Sequence, residues 1–378
     1  MHTFYKLIII FLLTQCNLVA QSFYIKGIVI DNETSVPLAN ASVFINNSTT
    51  GTVTNNAGEF QLGPFVPGTY EVITSFVGYE RLLYIADIRN ASMKITFRMI
   101  RREEEMRELL ILPEATRVRY LEIFRKNFLG ETNAANRSKM KNLKDVQFAA
   151  TLNQNELVAY CDTTLIVDNP ELGYMIYFDL VEFYFNRATG ESRFFGYSRF
   201  VDKNAESENK RRWAKRRKEA YEGSTMHFYR SLVQRKLKED QFTVQNIYRK
   251  EMKRETGVPQ NLTLNVGGSN SIDIAVPVTE DSLLRVYSDS GYTIYEIKIA
   301  DRLRVLYAKN TALKQDITKN RIVGGQLRHG TVAGLRPFQP PILVDYRGRL
   351  LTPLAAYNDG MWAFERLANM LPEDYEPE

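Results

Sequence analysis

Residues 22–99 change from apolar to polar at nearly every step, and turn clusters cut the pattern about every ten residues. Phe23, Ile25, Gly27 and Val29 alternate, as do Ala41, Val43 and Ile45. Ile95, Phe97 and Met99 point one way while Lys94, Thr96 and Arg98 point the other, as a half-buried strand requires. Between the runs stand Asp31-Asn32-Glu33-Thr34, Asn46-Asn47-Ser48, Asn55-Asn56-Ala57-Gly58 and Pro67-Gly68. A period of two cannot be worn by a helix, so this stretch predicts an all-β sandwich. Gly58 and Gly68 are expected to supply positive φ where the chain reverses.

At 378 residues the chain is too long for one ordinary domain. With 44% apolar and 25% charged residues it has material for a core, which excludes a wholly disordered chain and a disulfide-built mini-protein. Residues 1–20 read as a secretory signal peptide: Lys6, the apolar run Leu7 to Leu13, and a cleavage site after Ala20 that leaves Gln21 first. The run is too short to span a bilayer. Gln15 stands where a lipoprotein signal at Cys16 wants a small residue, which disfavours lipidation. The expectation is an exported protein, periplasmic or associated with the outer membrane. Loss of Lys6 takes the formal charge from +5 to +4, too mild to imply nucleic acid. Cys161 is then the one cysteine left, so no internal disulfide forms.

The strand grammar carries a more specific pattern. Gly27-x-Val29-x-Asp31, Pro37-Leu38-x-x-Ala41-x-Val43, Gly51-Thr52-x-Thr54, Gly58-x-Phe60-x-Leu62 and Ser75-Phe76-Val77-Gly78-Tyr79 follow in order. Together they resemble the carboxypeptidase-like regulatory domain common in exported proteins of Bacteroidetes. The resemblance implies a transthyretin-like sandwich of seven strands over residues 21–99. It also implies a structural or docking accessory rather than a catalyst. The segments Phe124 to Glu131, Tyr221 to Leu232 and Gly360 to Tyr375 resemble the C-terminal region that accompanies this domain in many such proteins, and that likeness implies no activity.

Residues 100–113 are expected to connect the sandwich to an α+β region at 114–378, built of antiparallel sheet and a few helices. Helical spacing covers 115–128, with Val118, Leu121, Ile123, Phe124 and Phe128 near one side. Gly173 to Asn186 turns at Ala188-Thr189-Gly190 into Arg193 to Phe200, a long aromatic hairpin. It is a sheet packed against helices or, alternatively, a sugar-binding face. Ser224 is expected to cap a helix on which Met226, Tyr229, Val233 and Leu237 share a face with Phe228 and Leu232. A second hairpin joins Leu284–Tyr287 to Tyr292–Ile299, and Arg304–Tyr307 and Ile342–Asp345 read as strands. Trp362, Phe364, Leu367, Ala368 and Leu371 predict an amphipathic helix stopped by Pro372.

Chemical motifs are scarce. A zinc peptidase needs three ligands and an open position, and neither His227 nor His329 begins a His-x-x-Glu pair. Cys161 ends a strand-like run and reads as a buried thiol rather than as the nucleophile of a Cys/His site. No Gly-x-Ser-x-Gly elbow and no nucleotide-binding glycine loop occurs. No catalytic residue, metal ligand or cofactor is therefore nominated.

The electrostatic feature that stands out is a basic run: Lys210, Arg211, Arg212, Lys215, Arg216, Arg217 and Lys218 are seven of nine consecutive residues. They form a candidate anion-binding helix, able to hold the protein at an anionic membrane surface with Trp213 at the interface. The alternative is a solvated face paired with Glu206, Glu208, Glu219 and Glu222. The leading reading is a non-enzymatic accessory protein of the cell envelope, whose partner is an envelope protein or glycan. The alternatives are a hydrolase with its site in residues 114–378, acting on peptide or glycan, and a glycan-binding module.

Overall fold

The computed structural model describes residues 22–102, 112–149, 155–203, 207–251, 271–289, 292–309 and 332–377. The signal-like segment and His329 lie outside the described residues. Two compact units divide the chain, Met1–Asn46 with Thr50–Glu104 and Asn47–Thr49 with Glu105–Glu378.

The first unit is the expected seven-stranded sandwich. Its strands are β1 (Phe23–Asp31), β2 (Ser42–Ile45), β3 (Gly51–Val53), β4 (Glu59–Phe65), β5 (Gly68–Ser75), β6 (Leu82–Ile88) and β7 (Met93–Met99). One sheet runs β4-β1-β7 and the other β3-β2-β5-β6. The strand β1 pairs antiparallel with β4 and parallel with β7, so it is enclosed on both edges. Ile25, Val29, Val43, Leu62, Val72 and Phe97 fill the space between the sheets. Gly58 turns in the left-handed region at φ 74°. Gly68, at φ 156°, is nearer to extended backbone and opens β5.

The residues that carry the resemblance hold one another. Thr54 Oγ donates to the Leu38 carbonyl at 2.5 Å and accepts the Ala41 amide at 2.9 Å, all out of water. The buried Asp31 carboxylate accepts the amides of Glu33 and Thr34 at 2.9 and 2.8 Å, the Tyr79 hydroxyl at 2.7 Å and Arg101 Nε at 2.9 Å. The Thr34 amide first, then Tyr79 and Arg101, hold its pKa far below the usual carboxylate range. Arg101, expected in the connector, is thus bonded into the sandwich; residues 103–111 of that connector lie outside the described residues. A depressed pKa contributes stability that is fully present above the unfolded value, about pH 4, and is lost as pH falls through the folded one. Asp31→Asn is expected to lower the unfolding temperature by several degrees at neutral pH and to shrink its dependence on acid. Thermal melts between neutral pH and about pH 3 read both effects.

The second unit holds two apolar cores. The first lies under helix α1 (Glu114–Leu129), whose Phe124, Phe128 and Leu129 press on a six-stranded antiparallel sheet. At its centre is β12 (Tyr174–Asn186), paired along its length with β13 (Ser192–Asp202). On its other edge β12 meets β11 (Leu165–Asn169) and then β10 (Glu156–Tyr160); β8 (Lys139–Met140) and β9 (Gln147–Ala149) complete the sheet. Val118 departs from the expected helix face and is exposed. A short helix α2 (Asn133–Arg137) follows, and helix α3 (Ser207–Tyr221) carries the basic run.

The second core forms around helix α4 (Thr225–Val233), where Ser224 accepts the His227 amide at 3.1 Å as the expected cap. Phe228, Leu232, Leu303, Leu335 and Trp362 meet there. Five strands surround them in the order β15 (Ser271–Pro277), β14 (Phe242–Glu251), β18 (Arg302–Tyr307), β19 (Val332–Pro337) and β21 (Ala356–Gly360). A three-stranded sheet adds the expected hairpin, β16 (Leu284–Asp289) with β17 (Tyr292–Ile297), and β20 (Ile342–Asp345).

The expected C-terminal helix is absent. Two 3₁₀ turns replace it, Met361–Phe364 and Leu367–Asn369. The reason lies in packing. Trp362 belongs to the core around α4, whereas Leu367, Ala368 and Leu371 belong to the core under α1. One straight helix cannot serve both, so the chain breaks between them, with Arg366 in extended backbone.

Candidate functional site

Helix α3 sorts its seven basic residues by face. At 100° per residue Trp213, Arg216, Arg217 and Ala220 share one side, and Arg211, Lys215 and Lys218 lie opposite. The first side is the packed one. The Trp213 indole is buried, donates from Nε1 to the Pro170 carbonyl at 3.0 Å and lies against Gly173. That burial overturns the expectation of Trp213 at a membrane interface. Arg216 binds Glu171 and Glu219, each at 2.8 Å. Arg217 donates to the Leu172 carbonyl at 2.8 Å, pairs with Asp202 and stands 3.9 Å from the centre of the Tyr174 ring. These two arginines therefore secure the helix, Arg217 largely covered and Arg216 still partly exposed.

Lys210, Arg211, Arg212, Lys215 and Lys218 are exposed. Of the expected acidic partners, Glu219 binds Arg216 and Glu222 binds Lys309 at 3.4 Å. Glu206 lies outside the described residues. Arg211, Lys215 and Lys218 line one exposed stripe of about two helical turns, Arg212 flanks it, and Lys210 lies nearer the packed side.

The other candidates settle into structural roles. Cys161 is buried in the core under α1, near the Asp145 carbonyl and Thr163, and burial raises its thiol pKa, against thiolate chemistry. His227 is packed among Tyr221, Phe242 and Tyr307 and accepts the Gly223 amide at Nδ1, 3.0 Å away. Ser231 and Asp240 stand close by, but the Ser231 hydroxyl bonds Asp240 at 2.6 Å and the His227 carbonyl at 2.8 Å rather than the imidazole. That arrangement ties the helix to its following loop. Along the aromatic hairpin Tyr174, Phe178, Phe183 and Phe200 are core residues. On the opposite face Arg199 covers Tyr177 and Arg193 covers Tyr184. Among the described residues no cluster of His, Cys, Asp or Glu suits a metal ion. No helix among them is long and apolar enough to cross a membrane.

A cleft of about 370 Å³ in the second unit escaped the sequence reading. The end of α1, the β12–β13 turn, β19, β21 and the segment around Arg366 line it. Its residues come from five separated stretches, and no local motif announces them.

Comparison with known proteins adds one family likeness. No curated protein matches the chain. Among solved structures, a type II cohesin–X-dockerin complex of Acetivibrio cellulolyticus matches at 20% identity over 30% of this chain and 79% of that one, with a TM-score of 0.20. The shaft pilin SpaA of Lactobacillus rhamnosus GG matches at 18% identity over 25% of this chain and 49% of that one, TM-score 0.19. BcpA, the major pilin subunit of Bacillus cereus, matches at 10% identity over 77% of this chain and 89% of that one, TM-score 0.18. At such TM-scores these likenesses carry no argument about fold or function. The family model of the CarboxypepD_reg-like domain matches residues 25–111, so the first unit of this chain is similar to that domain.

Proposed function

We propose that this protein is an exported accessory protein of the cell envelope, which rests on an anionic surface through α3 and docks a partner through its sandwich. The observation that carries the reading is the division of labour on α3. Trp213, Arg216 and Arg217 anchor one face, and the exposed Arg211, Lys215 and Lys218 line the opposite one. Lipid phosphates and phosphorylated glycolipids are the anions an exported protein meets at a membrane. Each exposed Lys or Arg adds roughly 1 kcal/mol near such a surface at low salt. The signal-like N-terminus and the regulatory-type sandwich support export and a docking role.

The test is co-sedimentation with phosphatidylglycerol-containing vesicles across a salt series, with phosphatidylcholine vesicles as the neutral reference. Changing Arg211, Lys215 and Lys218 together to Gln is expected to weaken binding at least tenfold, about what three contacts near the surface supply after screening. The melting temperature should change by no more than a few degrees, because contacts of exposed side chains, those of Lys218 included, contribute little. Binding that ignores both salt and the three substitutions defeats the proposal.

A further inference from the structure

The cleft near Arg366 holds three cations and three carboxylates, and their pairing is uneven. Lys126 binds Glu131 at 3.0 Å. Arg336 reaches Glu191 at 3.6 Å and Asp359 at 3.8 Å, and Asp359 is shared with Arg302 at 3.5 Å. Arg366 has no carboxylate within ion-pair distance among the described residues. It donates from Nη2 to Ser192 Oγ at 2.8 Å and from Nη1 toward the Ser192 carbonyl at 3.5 Å. Burial alone lowers its pKa to about 10, so it keeps its charge at neutral pH in a site where that charge is poorly solvated.

The fold builds a seat for this side chain. Gly130, closing α1 at φ 100°, leaves room for the arginine stem: a Cβ there would stand 3.2 Å from Arg366 Cβ. The break between the two 3₁₀ turns places Arg366 in the cleft rather than on a helix surface.

The charge pattern narrows the ligand. One cation without an ionic partner accommodates one negative charge. The carboxylates of Glu131, Glu191 and Asp359 then repel a dianionic phosphate or an acidic peptide, yet they accept hydrogen bonds from hydroxyl groups. Tyr357, whose ring lies 4.6 Å from that of Phe338, offers an aromatic edge beside them. The volume is at the small end of ligand pockets. A monoanion rich in neutral hydroxyls satisfies all of these conditions. We propose that the cleft binds a uronic acid, its carboxylate on Arg366 and its hydroxyls on the surrounding carboxylates. This site is independent of the α3 surface and stands or falls without it.

Isothermal titration of the purified protein with D-glucuronate, D-galacturonate, D-glucose, inorganic phosphate and an acidic tripeptide tests the assignment. A uronate is expected to bind at least tenfold more tightly than glucose, the ordinary effect of a hydrogen bond to a charged group. Arg366→Gln should remove that preference, and Arg366→Lys should restore part of it. Should Arg366→Gln unfold, the comparison of uronate with glucose on the unaltered protein still decides. Asn358→Trp, a change at an exposed position on the rim, should block uronate without altering the melt. Equal binding of glucose and uronates, preference for phosphate or the peptide, or no binding of any of them overturns the proposal.

Discussion

Gly27→Ala is expected to cost the sandwich about 3 kcal/mol or more, at the upper end of what an added methyl costs in a packed site. A Cβ at Gly27 would stand 2.0 Å from the Ile95 carbonyl oxygen and 2.9 Å from Phe60 Cε1. Backbone blocks it on the β7 side and an aromatic ring on the β4 side. Neither can yield, because Gly27 is in register with Ile95 in β7 and Phe60 in β4. The strand must therefore separate from β7 or bulge. A domain of this size should lose about 12 °C or more in melting temperature. Hydrogen exchange locates the damage: amides of β1 and β7 should lose protection. Both tryptophans, Trp213 and Trp362, lie in the second unit, so their emission should not change. Unchanged exchange in β1 and β7 would refute the steric account.

Gly173→Ala should do comparable harm in the second unit by a different route. Gly173 adopts φ 73°, where a residue with a Cβ is strained by roughly 1 kcal/mol. Its Cβ would lie 2.1 Å from Trp213 Cδ2 and 2.5 Å from Cε2 and Cε3. The indole would have to leave, losing its bond to the Pro170 carbonyl and much of its burial. Partial loss of a buried tryptophan's packing adds about 2 kcal/mol or more. The expected readout is a red shift of the Trp213 emission together with a lower melting temperature. The displaced helix should also lose the vesicle binding proposed for its outer face. Emission and melting that match the unaltered protein would contradict the packing described for Trp213.

These two glycines differ in how far they could be read beforehand. Gly27 stands in an ordered series of short motifs, and alternation around it fixes strand and face. Gly173 sits in an unremarkable turn, and its importance comes from a tryptophan 40 residues further on. The hairpins followed the same division. Aromatic and β-branched richness with a turn marked β12–β13, and alternation with a turn marked β16–β17, because such runs and turns are local in sequence. The C-terminal segment did not yield to periodicity, since apolar spacing from Trp362 to Leu371 suits a helix and also a broken chain feeding two cores.

The candidate surfaces divide in the same way. Composition alone exposed the basic run, but not that Arg216 and Arg217 secure the helix while Arg211, Lys215 and Lys218 line its exposed stripe. The cleft was illegible, because Arg366 has meaning only beside Ser192, Glu191 and Gly130, which are remote in the chain. Local grammar marked the alternating strands of the sandwich, the Ser224 cap and the positive charge of α3, because backbone period, turn chemistry and charge are properties of neighbours in sequence; the count of seven strands came with the family resemblance. Tertiary structure decided which charged side chains are drawn into the packing, which glycines are indispensable and which distant residues line one cleft. Those depend on which distant groups exclude water from one another.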